Sequence, residues 1–167
     1  MGCLGVHFSF DKGMVDKLKS FATDEERLDY LQEEIEETYF DKHPKWVGQT
    51  DKAWDAIHRA LTDGKLEWSN GEYPLNHVIL GGELLYNGDD YIMSLKTPQQ
   101  VQDVAHALES MTYDVFRVNY FNIDPDEYGS PVDEGDFGYT WSWFESLKEF
   151  WRQAATEGRY VLFTADQ

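Results

Sequence analysis

Cysteine is nearly missing from the chain. Cys3 stands alone among 167 residues, so no intramolecular disulfide framework can form and a reducing compartment is expected. Long apolar runs are missing as well. No stretch approaches the roughly 20 apolar residues that a membrane span needs, and the first residues carry neither the basic start nor the apolar centre of a secretory signal. Met1-Gly2-Cys3 resembles a myristoylation start, but Val6 stands where that motif wants Ser or Thr. Basic residues are scarce: 14 Lys and Arg face 32 Asp and Glu, a formal net charge of −18. Such a field opposes binding to a phosphate backbone and suits a basic protein partner or simple solubility. The composition therefore predicts a cytoplasmic protein without nucleic acid or membrane as partner. An acidic mimic of nucleic acid would follow from the charge alone.

Catalytic and cofactor signatures are equally scarce. His7, His43, His58, His77 and His106 include no HExxH and no other close pair. Asp124-Pro125-Asp126-Glu127-Tyr128-Gly129 imitates the start of a calcium loop, then places Tyr128 at a ligand position and Gly135 where the bidentate Glu belongs. Gly81-Gly82-Glu83 lacks the Lys and Ser/Thr of a phosphate loop, and no GxSxG elbow occurs. Neither a metal nor a cofactor is expected, and the chain leans away from being an enzyme.

What is present is hydrophobic periodicity. Leu4, Val6, Phe8 and Phe10 alternate with Gly5, His7 and Ser9, which predicts a strand with one buried face and His7 on the other. Asp11 is placed to cap a short helix bearing Met14, Val15, Leu18 and Phe21. Thr23 and Glu26 have capping-box spacing before a helix whose stripe is Leu28, Leu31, Ile35 and Tyr39. Residues 40–49 read as a connection, after which Thr50 caps a third helix with Ala53, Trp54, Ile57, Ala60 and Leu61 inward. Residues 65–87 read as loop, with a tight bend at Gly81-Gly82. A strand follows at 91–95, then a helix opened by Thr97-Pro98-Gln99-Gln100. Residues 113–122 fit either period and lean to helix. An acidic loop over 124–138 leads to a long terminal helix, with Ser142 and Glu145 spaced as its capping box. Its stripe is Trp143, Phe144, Leu147, Phe150, Trp151, Ala154 and Ala155, and a strand over 159–164 closes the chain. The expected fold is one α+β domain over residues 1–167, mostly helical, with a small sheet that includes the N- and C-terminal strands.

Two regions carry candidate chemistry. Asp55 and Trp54 precede His58 by three and four residues, so a carboxylate–imidazole pair could sit beside an aromatic wall. The competing reading pairs Asp55 with Arg59 on the helix surface. Asp51, Trp54, His58, Gly81, Gly82 and Glu83 together mark a candidate ligand cleft, with Asp55 and His58 as its catalytic candidates. The second region runs from Asp124 to Trp143, where acids and aromatics alternate with no Lys or Arg between them. Asp126, Tyr128, Asp133, Glu134, Asp136 and Trp141 would there receive a basic protein. The leading expectation is a non-enzymatic acidic binding module, and the alternative is a small-molecule-binding protein or enzyme with a cleft around Trp54, His58 and Glu83.

One resemblance runs along the whole chain. Asp51-Lys52-Ala53-Trp54-Asp55-Ala56-Ile57-His58, Ile79-Leu80-Gly81-Gly82, and Phe150-Trp151-Arg152-Gln153-Ala154-Ala155 leading through Gly158 to Val161-Leu162-Phe163 resemble the YfbM-like bacterial family. The resemblance implies a single α+β domain of about this length. That family carries no established site residues, so it implies no activity, ligand or partner.

Overall fold

A computed structural model describes residues 3–167; Met1-Gly2, on which the myristoylation reading depends, lies outside the described residues. The fold is α+β, built on one antiparallel sheet. The two chain ends lie side by side within it: β1 (Gly5–Phe10) pairs with β5 (Tyr160–Asp166) from Gly5 opposite Ala165 to Phe10 opposite Tyr160. β2 (Val47–Asp51) flanks β1, β4 (Tyr91–Lys96) flanks β5, and the two-residue β3 (Glu83–Leu84) closes the far edge, giving the order β2-β1-β5-β4-β3.

Helices cover both faces of this sheet. On one face Val6, Phe8, Phe10, Met93, Leu95 and Leu162 pack against α1 (Lys12–Lys19) and a helical stretch made of α2 (Asp24–Tyr30), a π-helical turn (Leu31–Ile35) and α3 (Glu36–Lys42). On the other, Val161, Phe163 and Ala165 meet α4 (Trp54–Leu61), α5 (Pro98–Glu109), α6 (Tyr113–Phe121) and α8 (Glu134–Thr156), with the single turn α7 (Pro125–Tyr128) between the last two. β1 is therefore buried on both sides, where its alternation predicted one buried face. His7 is fully buried, its ring 4.8 Å from that of Phe163 and 5.7 Å from that of Trp151. The second face reads as non-hydrophobic because β1 places Gly5, His7 and Ser9 on it, and Gly5 with Gly48 of β2 lets α4 and α8 approach closely. A Cβ on Gly5 would lie 2.7 Å from the Trp54 ring, and one on Gly48 2.7 Å from the Phe150 ring.

Several boundaries differ from the sequence reading. Thr50 lies within β2 and donates its hydroxyl to the Gly5 carbonyl (3.1 Å), so α4 starts without a side-chain cap. The 40–49 connection contains a short 3-10 turn and most of β2, an edge strand too short and polar to announce itself. The long helix begins at Glu134 instead of Ser142, because Asp133 accepts the Asp136 N–H (2.8 Å) and the burial of Phe137 and Thr140 outweighs Gly135 and Gly138. Thr97 forms the expected reciprocal box with Gln100, and 113–121 is helix.

Candidate binding groove

The irregular segment after the 3-10 turn Leu75–His77 is held by side chains rather than by a ladder. Three successive carbonyls accept from three buried donors: His7 Nε2 to Val78 (2.8 Å), Lys96 Nζ to Ile79 (2.6 Å) and Ser94 Oγ to Leu80 (2.8 Å). Trp68 Nε1 adds a fourth bond to the Gly82 carbonyl (3.2 Å). Gly82 has φ +141°, and a Cβ there would lie 2.5 Å from the Leu95 carbonyl oxygen, so the bend expected at Gly81-Gly82 is real and requires glycine.

The donors set their own protonation. A carbonyl only accepts, so His7 carries its hydrogen on Nε2; burial, with Lys96 nearby, lowers its pKa to about 3 and keeps it neutral. Lys96 is fully buried, has no ion-pair partner among the described residues, and burial drives its pKa well below the usual lysine value. A neutral amine has two N–H groups, and two carbonyls receive them: Ile79 at 2.6 Å and Ser94 at 3.2 Å.

This clamped segment contributes Leu80 to a groove of about 530 Å³. Its apolar lining is Trp54, Leu66, Trp68, Leu80, Leu84, Tyr86, Tyr91 and Ile92, and Asn87, Gly88, Asp89 and Gln167 complete it. The volume falls within the usual range for small-molecule sites. Trp68 is 49% exposed and Leu84 42%, so the groove presents apolar surface to solvent. Asp89 is its one charged lining residue.

The proposed cleft residues are only partly brought together. Trp54 lines the groove and donates its indole N–H to the Cys3 carbonyl (2.7 Å). Gly81 and Gly82 shape the wall without lining it, and Glu83 turns outward to an exposed pair with Lys19 (3.0 Å). Asp51 stands elsewhere, at φ +51°, accepting the Tyr139 hydroxyl; burial and that carboxylate push Tyr139 up to about 12. The catalytic pairing does not form. Asp55 binds Arg59 (2.6 Å), while His58 is fully buried behind the groove. Its Nε2 faces Asn70 Oδ1 (2.7 Å) and the Glu67 carbonyl (3.0 Å), and burial lowers its pKa. Asn70 in turn donates to Thr62, Asp63 and Lys65, so His58 organises the loop that carries Leu66 and Trp68.

The acidic loop is also more occupied than its sequence suggests. Asp133 caps α8, Glu134 pairs with Arg117 from α6, and Asp136 accepts the hydroxyls of Tyr120 (2.6 Å) and Tyr128 (2.9 Å). Trp141 is half-buried, 5.1 Å from Tyr113 and 5.6 Å from Phe116. Asp126 alone of the six remains exposed without such a contact. The absence of bases within 124–143 is a fact of sequence; folding supplies one from α6.

Sequence reasoning missed Leu66, Trp68, Leu84, Tyr86, Asp89 and Ile92. The available signal was Trp68, an isolated large aromatic in the polar run Glu67-Trp68-Ser69-Asn70. Among the described residues no group of three or more His, Cys, Asp or Glu is placed to hold a metal ion, and no helix is long and apolar enough to cross a membrane.

Comparison with known proteins gives a family of unknown function. The family described as a domain of unknown function, DUF1877, matches residues 1–164. A solved structure of YfbM from Escherichia coli, described as a protein of unknown function, is similar in fold: TM-score 0.67 at 21% identity, over 97% of this chain and 99% of that one. No curated protein matches the chain.

Proposed function

The chain belongs to the DUF1877 family, and from its own geometry we propose that it is a cytoplasmic binding protein for a small organic molecule, held in the groove beside Trp54 and Trp68. One observation carries the reading: a groove of about 530 Å³ with aromatic walls and a half-exposed tryptophan at its mouth. Tyr91 and Ile92 stand on β4, and Leu80 on a backbone segment clamped by buried donors, so this part of the site is preformed. A thermal-shift and tryptophan-emission screen of metabolites tests it. Ligands that stabilise the wild type lose that effect in Trp68→Ala, whose fold stays intact because the residue is half exposed. Hits that survive Trp68→Ala unchanged would refute the assignment.

A second reading is a module that receives a basic protein, favoured by the net charge of −18 and by the exposed Glu25, Asp29, Glu33, Glu34 and Glu37 along α2, the π-helical turn and α3. The screen separates the two. Small molecules would then give no shift, while capture of a basic protein would weaken with salt and with neutralisation of those acids.

A further inference from the structure

We infer that the groove's ligand is an organic cation with an apolar body, an amine or ammonium compound, its charge seated against aromatic faces and the Asp89 carboxylate. The inference rests on the groove reading and adds the ligand's charge. No Lys, Arg or His lines the groove, and its single ionised side chain is Asp89. Four aromatic residues line it: Trp54 and Tyr91 are almost covered by the core, while Trp68 and Tyr86 keep surface open to a ligand. Elsewhere the chain seats its own cations on aromatic faces, Arg159 over Trp46 at 3.9 Å and Arg117 over Phe121 at 4.8 Å. Among the described residues no Lys or Arg lies over the four aromatics of the groove. A ring face in a partly desolvated groove attracts a cation through its quadrupole. An anion there would face Asp89 with no positive group to offset it. The apolar requirement comes from Leu66, Leu80, Leu84 and Ile92, which offer nothing to a compact hydrated ion. The net charge of −18 raises the local concentration of any cation and lowers that of any anion.

Three probes share one apolar body and differ in charge: hexylammonium, hexanol and hexanoate. Each is titrated into the full chain while tryptophan emission and melting temperature are followed, with Asp89→Asn, Trp68→Ala and a remote control, Glu33→Gln. The expected order of affinity is hexylammonium, then hexanol, then hexanoate, with a cation preference of roughly tenfold over the alcohol. Asp89→Asn reduces that preference while leaving hexanol binding unchanged. Trp68→Ala weakens all three, and Glu33→Gln changes nothing. Hexanol or hexanoate binding as tightly as hexylammonium would overturn the cation assignment and leave the groove reading standing, as would a preference that Asp89→Asn leaves intact. Failure of all three probes to saturate at any one site would overturn both.

Discussion

Lys96→Met tests the most unusual arrangement in the core. The wild-type amine is fully buried between the sheet and the 78–82 segment, donating to two carbonyls and with no carboxylate partner among the described residues. In the unfolded chain it takes up a proton below about pH 10.4, whereas burial depresses its folded pKa well below that value. Between the folded and unfolded pKa values the unfolded state binds one more proton, so stability rises with pH. The slope for one proton is about 1.4 kcal/mol per pH unit. Burial or a neighbouring carboxylate raises Tyr39, Tyr73, Tyr86, Tyr91, Tyr120, Tyr128 and Tyr139, so their unfolded forms ionise first and oppose this slope toward the upper end of the range, equally in wild type and variant. Urea unfolding followed by tryptophan emission at several pH values from about 8 to about 9.5 therefore isolates the lysine in the difference between wild type and variant. The wild-type slope exceeds that of Lys96→Met by close to one proton over that window. Absolute stability at neutral pH is the poorer observable. The variant removes the burial of an amine but leaves the Ile79 and Ser94 carbonyls without their donor, at about 1–3 kcal/mol each. Equal slopes in wild type and variant would refute the neutral, unpaired lysine.

Three further expectations follow from the same packing. His7, depressed to about 3 from an unfolded value near 6.5, contributes stability that is complete above pH 6.5 and lost as pH falls through 3. The integrated loss is roughly 4–5 kcal/mol, and His7→Leu flattens that part of an acid denaturation series. Gly48→Ala drives a methyl to 2.7 Å from the Phe150 ring and lowers stability by about 1–3 kcal/mol in urea, while an alanine at exposed Gly138, where a Cβ meets nothing within 4 Å, does not destabilise. His58→Ala removes the group that holds Asn70 and leaves a cavity, which destabilises the chain by about 2–4 kcal/mol. It also lowers the emission anisotropy of Trp68 as the 62–70 loop loosens, seen by difference against the same change made in Trp68→Phe. An active-site role for His58 would predict an intact fold instead.

Legibility in the sequence followed the range of the interactions. Local signals read true: the Asp11 cap, the Thr97 box, the inward face of α4 and the bend at Gly81-Gly82 depend on residues a few positions apart. The pairing of the terminal strands was also legible, since two short apolar strands need partners and each was available to the other. Where the reading failed, a distant residue decided. Thr50 looks like a cap until the Gly5 carbonyl claims its hydroxyl from 45 positions away. Asp55 takes the local alternative, Arg59 four positions on, as the competing reading had it, while His58 turns to a loop residue twelve positions away, Asn70. Glu134 and Asp136 look free until Arg117 and Tyr120 arrive from α6. The groove itself joins α4, the 62–70 loop and β4, and no periodicity announces such a meeting.

The most direct test of the groove is to map ligand contacts on isotopically labelled protein by NMR, using a library of small apolar amines, alcohols and acids. The account predicts that amide and indole shifts converge on Trp68, Leu84, Tyr86, Asp89 and Ile92, residues that only the fold brings together. Shifts that gather instead on the 134–141 surface or along α2 and α3, or that fail to converge anywhere, would contradict it.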